Sequence, residues 1–174
     1  MKDVIKAIID KYGIDQVKYG VVVFGTTSVL RRHFAELTPS RTALKNALDA
    51  IPRSRGQPDL KRGLEESAKL FENTTKSANI RRILVVMIDK NSVNSADHLR
   101  NVVQVLERKD VLIIPVAIGN RADSKELQAL TPNKGYIAQV SRDQEPEIIA
   151  QEIMKKALTG EACAVTLIPK LNQK

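Results

Sequence analysis

Residues 82–89 read RILVVMID, a run of aliphatic side chains between an arginine and a carboxylate. A second run of the same kind, VLIIPVAIG, covers residues 111–119. Continuous apolar runs of this length, rich in β-branched residues, are typical of strands buried on both faces, as in a parallel sheet covered by helices. The sequence therefore predicts a sheet that contains both segments. Pro115 cannot donate a backbone hydrogen bond, which predicts a position near the sheet edge or a local irregularity.

The segments around these two runs alternate between strand-like and helical patterns. Two further strands are predicted at 19–24 and 136–140, and the more polar residues 28–37 predict an exposed edge strand. Apolar residues at helical spacing predict helices near residues 4–12, 44–51, 60–71, 96–108, 124–130 and 146–157. This alternation predicts an α/β fold, with a doubly wound, mostly parallel sheet, helices on both faces and one antiparallel edge strand.

The composition limits the kinds of function. The 174 residues fit one domain, and no stretch approaches the ~18 consecutive apolar residues of a membrane span. The amphipathic start, MKDVIKAIIDKYG, also differs from a signal peptide. The net charge of +8 favours acidic partners such as sulfated polysaccharide, nucleic acid or an anionic membrane. His33 and His98 lie far apart in sequence and lack neighbouring cysteines, which argues against a zinc site.

Four segments occur in an order that resembles one known family. They are VKYGVVVFG at 17–25, DLKRGL at 59–64, ILVVMID at 83–89 and VAIGNRADSKEL at 116–127. Their order and separations are similar to those of the von Willebrand factor type A domain, over residue 1 to about residue 158. The remaining residues, 159–174, form a C-terminal tail. The resemblance implies a Rossmann-like fold and a secreted, non-enzymatic adhesion module of the extracellular matrix or cell surface.

The resemblance also implies a divalent cation at the carboxyl end of the sheet. The family holds it with an Asp-x-Ser-x-Ser after the first strand, a threonine before a later helix and an aspartate after the fourth strand. Here Pro58 stands at the threonine position and has no side-chain ligand atom. Asp89 matches the aspartate, but Ile88 and Lys90 replace its usual threonine and glycine neighbours. The first motif is not found, so Asp89 is the single predicted metal ligand of a degenerate site.

We therefore predict an interaction module that needs no cofactor. The alternative is a Mg²⁺- or Mn²⁺-dependent adhesion domain whose first strand is missing from this chain. An enzyme is a third hypothesis, since sheets of this type occur in many enzymes. No nucleophile, base and orienting partner can be assembled from these residues, so no catalytic residue is predicted.

The tail contains a strand-like segment, AVTLI at 164–168. In the family the first strand lies in the middle of the sheet, and its omission would leave buried N–H and C=O groups unpaired at about 1–3 kcal/mol each. Residues 164–168 could fill that position, from the same chain or swapped from a neighbour. Pro169, Leu171 and Gln173 would then occupy the ligand positions. A linker to a further repeat is the other interpretation.

Three groups of site residues follow from these arguments. The predicted partner, a matrix protein such as collagen, would bind at Pro58, Asp59, Asp89, Lys90, Asn91 and Ser92. A sulfated glycosaminoglycan would bind at Arg31, Arg32, Arg53, Arg55, Lys61 and Arg62, whereas few aromatic residues are available for nucleic acid. Asn73 begins a glycosylation triplet, Asn-Thr-Thr. The single cysteine, Cys163, excludes an internal disulfide but could link two chains into an oligomer.

Overall fold

The structure is a computed structural model that describes residues 1–15, 17–25, 29–33, 40–52, 57–72, 80–131 and 133–159. For residues 29–33 and 159 the backbone alone is described. Six helices, five strands and a short 3₁₀ helix follow one another along these residues. They are α1 (Lys2–Tyr12), β1 (Gly20–Phe24), β2 (Val29–His33), α2 (Arg41–Asp49), α3 (Leu60–Glu72), β3 (Arg82–Ile88), α4 (Ala96–Arg108), β4 (Val111–Ile118), α5 (Ser124–Leu130), the 3₁₀ helix (Lys134–Tyr136), β5 (Ala138–Val140) and α6 (Pro146–Thr159).

The predicted parallel sheet is confirmed. Strand β4 lies between β3 and β5 and pairs in parallel with both. Strands β1 and β2 form an antiparallel hairpin, in which Gly20 lies opposite His33 and Phe24 opposite Val29. The antiparallel strand that the sequence placed at the edge is therefore β2. Within the described residues the hairpin is not hydrogen-bonded to the three-stranded sheet.

Helices cover both faces of the sheet, and the alternation of side chains along β3 separates two cores. Leu84, Val86 and Ile88 pack in a core with α3, α4 and α5. Ile83, Val85 and Met87 pack on the opposite face in a core with α1 and α6. Apolar residues on every turn of these helices, such as Leu99 and Leu106 of α4, reach the core. This is the doubly wound arrangement that the sequence predicts.

Pro115 lies in an inner strand, and its missing donor has a local explanation. Strand β4 pairs along its length with β3, where Pro115 lies opposite Val86. On the other side the pairing with β5 begins one residue later, at Val116. The prediction of an edge position is thus wrong for the strand, although Pro115 itself lies just outside the ladder with β5.

Several predictions fall on residues that are not described. They include the tail segment 164–168, Pro169, Leu171, Gln173 and Cys163, all of which lie outside the described residues. Among the residues that the structure describes, no helix has the length and apolar character needed to cross a membrane.

Candidate interaction rim at the carboxyl ends of the strands

Three loops meet the start of α3 at the carboxyl ends of β3, β4 and β5. We call this region the rim and define it as residues 57–62, 89–95, 119–123 and 141–142. The loops follow their strands directly, so the parallel sheet brings segments that are far apart in sequence to one edge. The predicted partner-binding residues, from Pro58 to Ser92, all lie in the rim.

The first turn of α3 is capped by side chains of the rim. The backbone N–H of Leu60 donates to Ser92 Oγ at 3.1 Å, and the N–H of Lys61 donates to Asn94 Oδ1 at 2.9 Å. The N–H of Arg62 donates to Asp59 Oδ1 at 3.2 Å. These are donors that a helix cannot satisfy internally. The amino end of α3 is therefore closed by the protein's own oxygen atoms, two of them from the loop after β3.

Pro58 takes part in the same junction through its backbone. Its carbonyl oxygen accepts a hydrogen bond from the N–H of Val93 at 3.0 Å and lies 3.0 Å from the Ser92 hydroxyl. Ser92 Oγ also accepts from the N–H of Asn94 and lies 2.9 Å from Asn94 Oδ1. The loop after β3 and the start of α3 are thus joined by a network that needs neither a hydroxyl nor an N–H at position 58.

Glu126 holds the loop after β3 from the side of α5. Its side chain is buried, with 5% exposure, and both carboxylate oxygens lie 3.2 Å from the backbone N of Ser92. Burial raises the pKa of Glu126, and the negative charge of Asp123 adds to this, while the hydrogen bond from Ser92 opposes it. Glu126, an acidic residue that is not among the predicted site residues, therefore holds the rim in place.

The carboxylate of Asp89 lies beside an arginine. Arg142 Nη2 is 3.4 Å from Asp89 Oδ2 and 3.4 Å from the Asp89 carbonyl oxygen. Both side chains are about half exposed. Gly119 has a left-handed φ of +78°, and a Cβ there would lie 3.0 Å from Arg142 Nε. The glycine thus leaves room for the arginine to pass over the end of β4 toward Asp89.

Comparison with known proteins assigns the family. The sequence profile of the von Willebrand factor type A domain matches residues 1–155. The chain belongs to the von Willebrand factor type A family. Domains of this family mediate protein interactions and adhesion.

Solved structures of type A domains share the fold. Proximal thread matrix protein 1 from the mussel byssus, with a zinc-occupied MIDAS motif, is 22% identical with a TM-score of 0.73, over 90% of this chain and 39% of that one. A type A protein from Catenulispora acidiphila is 18% identical with a TM-score of 0.63, over 92% and 37%. The manganese-loaded Plasmodium vivax TRAP protein is 14% identical with a TM-score of 0.64, over 87% and 64%. The chain thus spans about two-fifths of the mussel protein's length.

The oxygen donors that the structure describes around Asp89 do not fit a divalent cation. Mg²⁺ and Mn²⁺ require several oxygen ligands, including carboxylates free of competing cations. Here Asp89 faces the Arg142 guanidinium, and the nearby Ser92 hydroxyl and Pro58 carbonyl are already hydrogen-bonded. Across the described part of the chain, no cluster of three or more His, Cys, Asp or Glu side chains could hold an ion.

The rim of this type A domain also contains a cationic groove. It has a volume of about 540 Å³ and lies between the ends of β4 and β5. Arg121 and Arg142 line it together with Gly119, Asn120 and Gln139. Neither arginine is among the predicted site residues, because each is a lone basic residue in a polar loop.

Two of the predicted polyanion residues, Lys61 and Arg62, have described side chains, so the predicted polyanion surface stays a prediction. Lys61 and Arg62 are exposed on the first turn of α3, and Lys61 Nζ is 3.7 Å from Glu65. Arg31 and Arg32 lie on β2, where the backbone alone is described, and Arg53, Arg55 and the glycosylation candidate Asn73 lie outside the described residues. Within the rim, Asn91 is exposed while Lys90 and Asp59 are partly buried.

Proposed function

We propose that this type A domain is a non-enzymatic interaction module of the extracellular matrix or cell surface that binds its partner without a divalent cation. The ion pair between Asp89 and Arg142 is the observation that carries the proposal. It supports metal independence because the one carboxylate at the expected ligand position is matched by a fixed positive charge. Metal independence is further supported by the first turn of α3, because oxygen atoms of the rim already accept hydrogen bonds from its N–H groups.

The partner we propose is a matrix protein such as collagen that presents an acidic side chain to the cationic groove. A guanidinium group forms two parallel hydrogen bonds to a carboxylate, which gives both charge and geometry for recognition. Arg121 and Arg142 would then bind the acidic side chain of the partner, in place of the bound cation of a metal-dependent domain. The matrix origin of the mussel byssus neighbour is in keeping with this location.

A calorimetric titration tests metal independence. We expect no saturable heat when Mg²⁺ or Mn²⁺ is added to protein that has been treated with a chelator, and no change in the melting midpoint. Asp89→Asn serves as the control for non-specific uptake. Binding of one ion per chain with micromolar affinity, lost in Asp89→Asn, would establish the metal-dependent alternative instead.

A binding assay on immobilised collagen tests the groove. We expect binding to be equal in chelator and in Mg²⁺, and Arg121→Glu/Arg142→Glu to weaken it by about tenfold or more. The matched control is Lys11→Glu/Lys134→Glu, which makes the same change in net charge at exposed positions near the amino ends of β1 and β5. Equal losses in both variants would indicate a general effect of charge and would contradict a binding groove.

A sulfated glycosaminoglycan is a second candidate partner, favoured by the net charge of +8. Exposed basic pairs contribute little to stability, so Lys61 and Arg62 can be changed without unfolding the domain. We expect Lys61→Glu/Arg62→Glu to elute from a heparin column at lower salt than Lys11→Glu/Lys134→Glu. Elution of the wild type below physiological salt would exclude this candidate.

Secretion can be tested through the glycosylation triplet at Asn73. If the protein passes through the secretory pathway of a eukaryotic cell, we expect an enzymatically removable glycan that is absent from Asn73→Gln. The measurement is made on the natural protein in the cells that produce it, and natural protein that is found inside those cells without glycan would contradict an extracellular location.

A further inference from the structure

Two strands of this domain present edges that have no strand opposite them within the described residues. Strand β1 pairs with β2 on one side, and β3 pairs with β4 on one side. Their sequences are as apolar as that of β4, yet Val21–Val23 and most of β3 are half-buried, whereas β4 is buried along most of its length. These strands thus have the composition of inner strands and the exposure of edge strands.

Helix α1 covers both β1 and β3 on one face, and α3 covers both on the other, so the two strands lie in one layer. On one face, Ile9 of α1 packs with Val21 and Val23, while Val4 and Ile8 of α1 pack in the core that contains Val85. On the other face, Phe24 joins the core that α3 shares with Leu84 and Val86 of β3.

The two strands also run in the same direction. Phe24, at the end of β1, lies against Gly63 in the first turns of α3. The loop that follows β3 caps the first turn of the same helix through Ser92. Because both strands end at the start of α3, a strand placed between them that runs toward α3 can pair in parallel with each. We call the space between β1 and β3 the slot.

We propose that the slot is filled by residues 164–168 of the same chain, AVTLI, as an inner strand parallel to β1 and β3. The segment has five residues, as β1 has. Its aliphatic and β-branched side chains suit a position with helices on both faces. Val165 and Leu167 would face one helix layer, and Ala164, Thr166 and Ile168 the other.

The end of α6 lies where such a strand must begin. Arg81, the residue before β3, donates from Nη1 to the carbonyl oxygens of Ala157 and Leu158 at 3.2 and 3.5 Å. Helix α6 therefore ends beside the amino end of β3. The four residues 160–163 can span about 13 Å when extended, whereas adjacent strands are about 4.8 Å apart. The connection is long enough without any rearrangement of α6.

Hydrogen exchange on the full chain tests this directly. We expect the amides of residues 165–168 to exchange at least about a hundredfold more slowly than in an unstructured peptide. Thr166→Pro removes an N–H from the middle of the proposed strand and should abolish that protection. It should also speed exchange at Val21–Val23 and Ile83–Val85, the flanking edges. Asn172→Pro is the matched control and should leave all three segments unchanged.

The outcomes separate the possible occupants. Unprotected amides at 165–168 in the wild type would overturn the proposal, and this measurement decides even if Thr166→Pro fails to fold. Protection that disappears on dilution together with a dimer in analytical ultracentrifugation would also overturn it, because the strand would then come from a second copy. Protection that persists in a monomer at every concentration supports it.

Discussion

Ser92 joins the loop after β3 to the start of α3 through a single hydroxyl group. Its oxygen accepts hydrogen bonds from the N–H groups of Leu60 and Asn94 and lies within hydrogen-bonding distance of the Pro58 carbonyl oxygen. The sequence predicted Ser92 as a partner-binding residue, which stays a prediction. The structure gives its side chain a role inside the protein.

We expect Ser92→Ala to lower the free energy of unfolding by about 1–3 kcal/mol, because it leaves partly buried N–H groups without an acceptor. Urea denaturation measures this change. Ser95→Ala is the control in the same loop, since Ser95 precedes α4 without a capping bond from its side chain. It should change stability by less than about 0.5 kcal/mol. Equal effects would contradict the role assigned to Ser92.

Glu126 should make stability depend on pH. Its pKa is raised by burial above the usual 4.5, so the folded protein binds this proton more tightly than the unfolded chain. The resulting contribution is fully present below the unfolded-state pKa and is lost as pH rises through the raised folded-state pKa. Glu126→Gln keeps an acceptor for Ser92 N–H and removes the titration.

We therefore expect the free energy of unfolding of the wild type, relative to Glu126→Gln, to fall as pH is raised from about 4 through the raised pKa. Denaturation at a series of pH values gives this difference. Glu107→Gln, which changes an exposed glutamate, controls for the loss of one negative charge. A difference that is constant with pH, or that rises, would contradict the assignment.

The sequence could select Pro58 and Asp89 as candidates because each lies in a segment that resembles a local motif of the family. It could not identify Arg142, because the contact with Asp89 joins residues 53 positions apart in loops that meet only when the sheet forms. Glu126 could not be identified from the sequence for a related reason. An acidic residue in the first turn of a helix is usually exposed and favoured by the helix dipole. Here Glu126 is buried, and its hydrogen-bond partner, the N–H of Ser92, comes from another loop.

Helix α3 approaches β1 so closely that a glycine is required. A Cβ at Gly63 would lie 2.7 Å from the Cγ and Cδ1 atoms of Phe24. Alanine is otherwise favoured over glycine in a helix by about 1 kcal/mol. The overlap with the base of the ring outweighs this, because neither the helix nor the strand can shift without disturbing the core that they share with Leu84.

We expect Gly63→Ala to lower the free energy of unfolding by about 1–3 kcal/mol. Phe24→Leu removes the ring and loses its packing, so it should also destabilise on its own. The double variant should be more stable than the sum of the two single changes predicts, and thermal denaturation of all four proteins measures this coupling. Additive effects, or a stabilised Gly63→Ala, would show that the contact with Phe24 does not limit the position.

Most elements were predictable because their patterns are local. The helix predicted at 96–108 is found as Ala96–Arg108, since its apolar residues follow the helical period without a break. The edge strand predicted at 28–37 is described only at Val29–His33. The edges of β1 and β3 that have no partner strand within the described residues were expected only from the family resemblance, because pairing between distant segments leaves no local signal.

For the molecule as a whole, the three aliphatic cores stabilise the fold, and a strand in the slot would add to this stability. Two cores cover β3, and a third covers the hairpin through α1 and α2. A sheet with two apolar edges open to water is unfavourable and prone to association. An inner strand in the slot would pair with both edges and bury them. The stability of residues 1–159 should therefore depend on the residues that follow.

Two truncated chains separate the tail segment from the rest of the tail. Residues 1–169 retain AVTLI, and residues 1–159 lack it. We expect the longer chain to melt like the full chain and the shorter one to melt about 5 °C lower or more, because three aliphatic side chains and two strand ladders are lost. The shorter chain should also bind the apolar dye ANS and associate as its concentration rises, because the edges of β1 and β3 are then open. Equal melting midpoints and equal dye binding for the two chains would show that residues 160–169 contribute nothing to the fold, and that the tail is a linker.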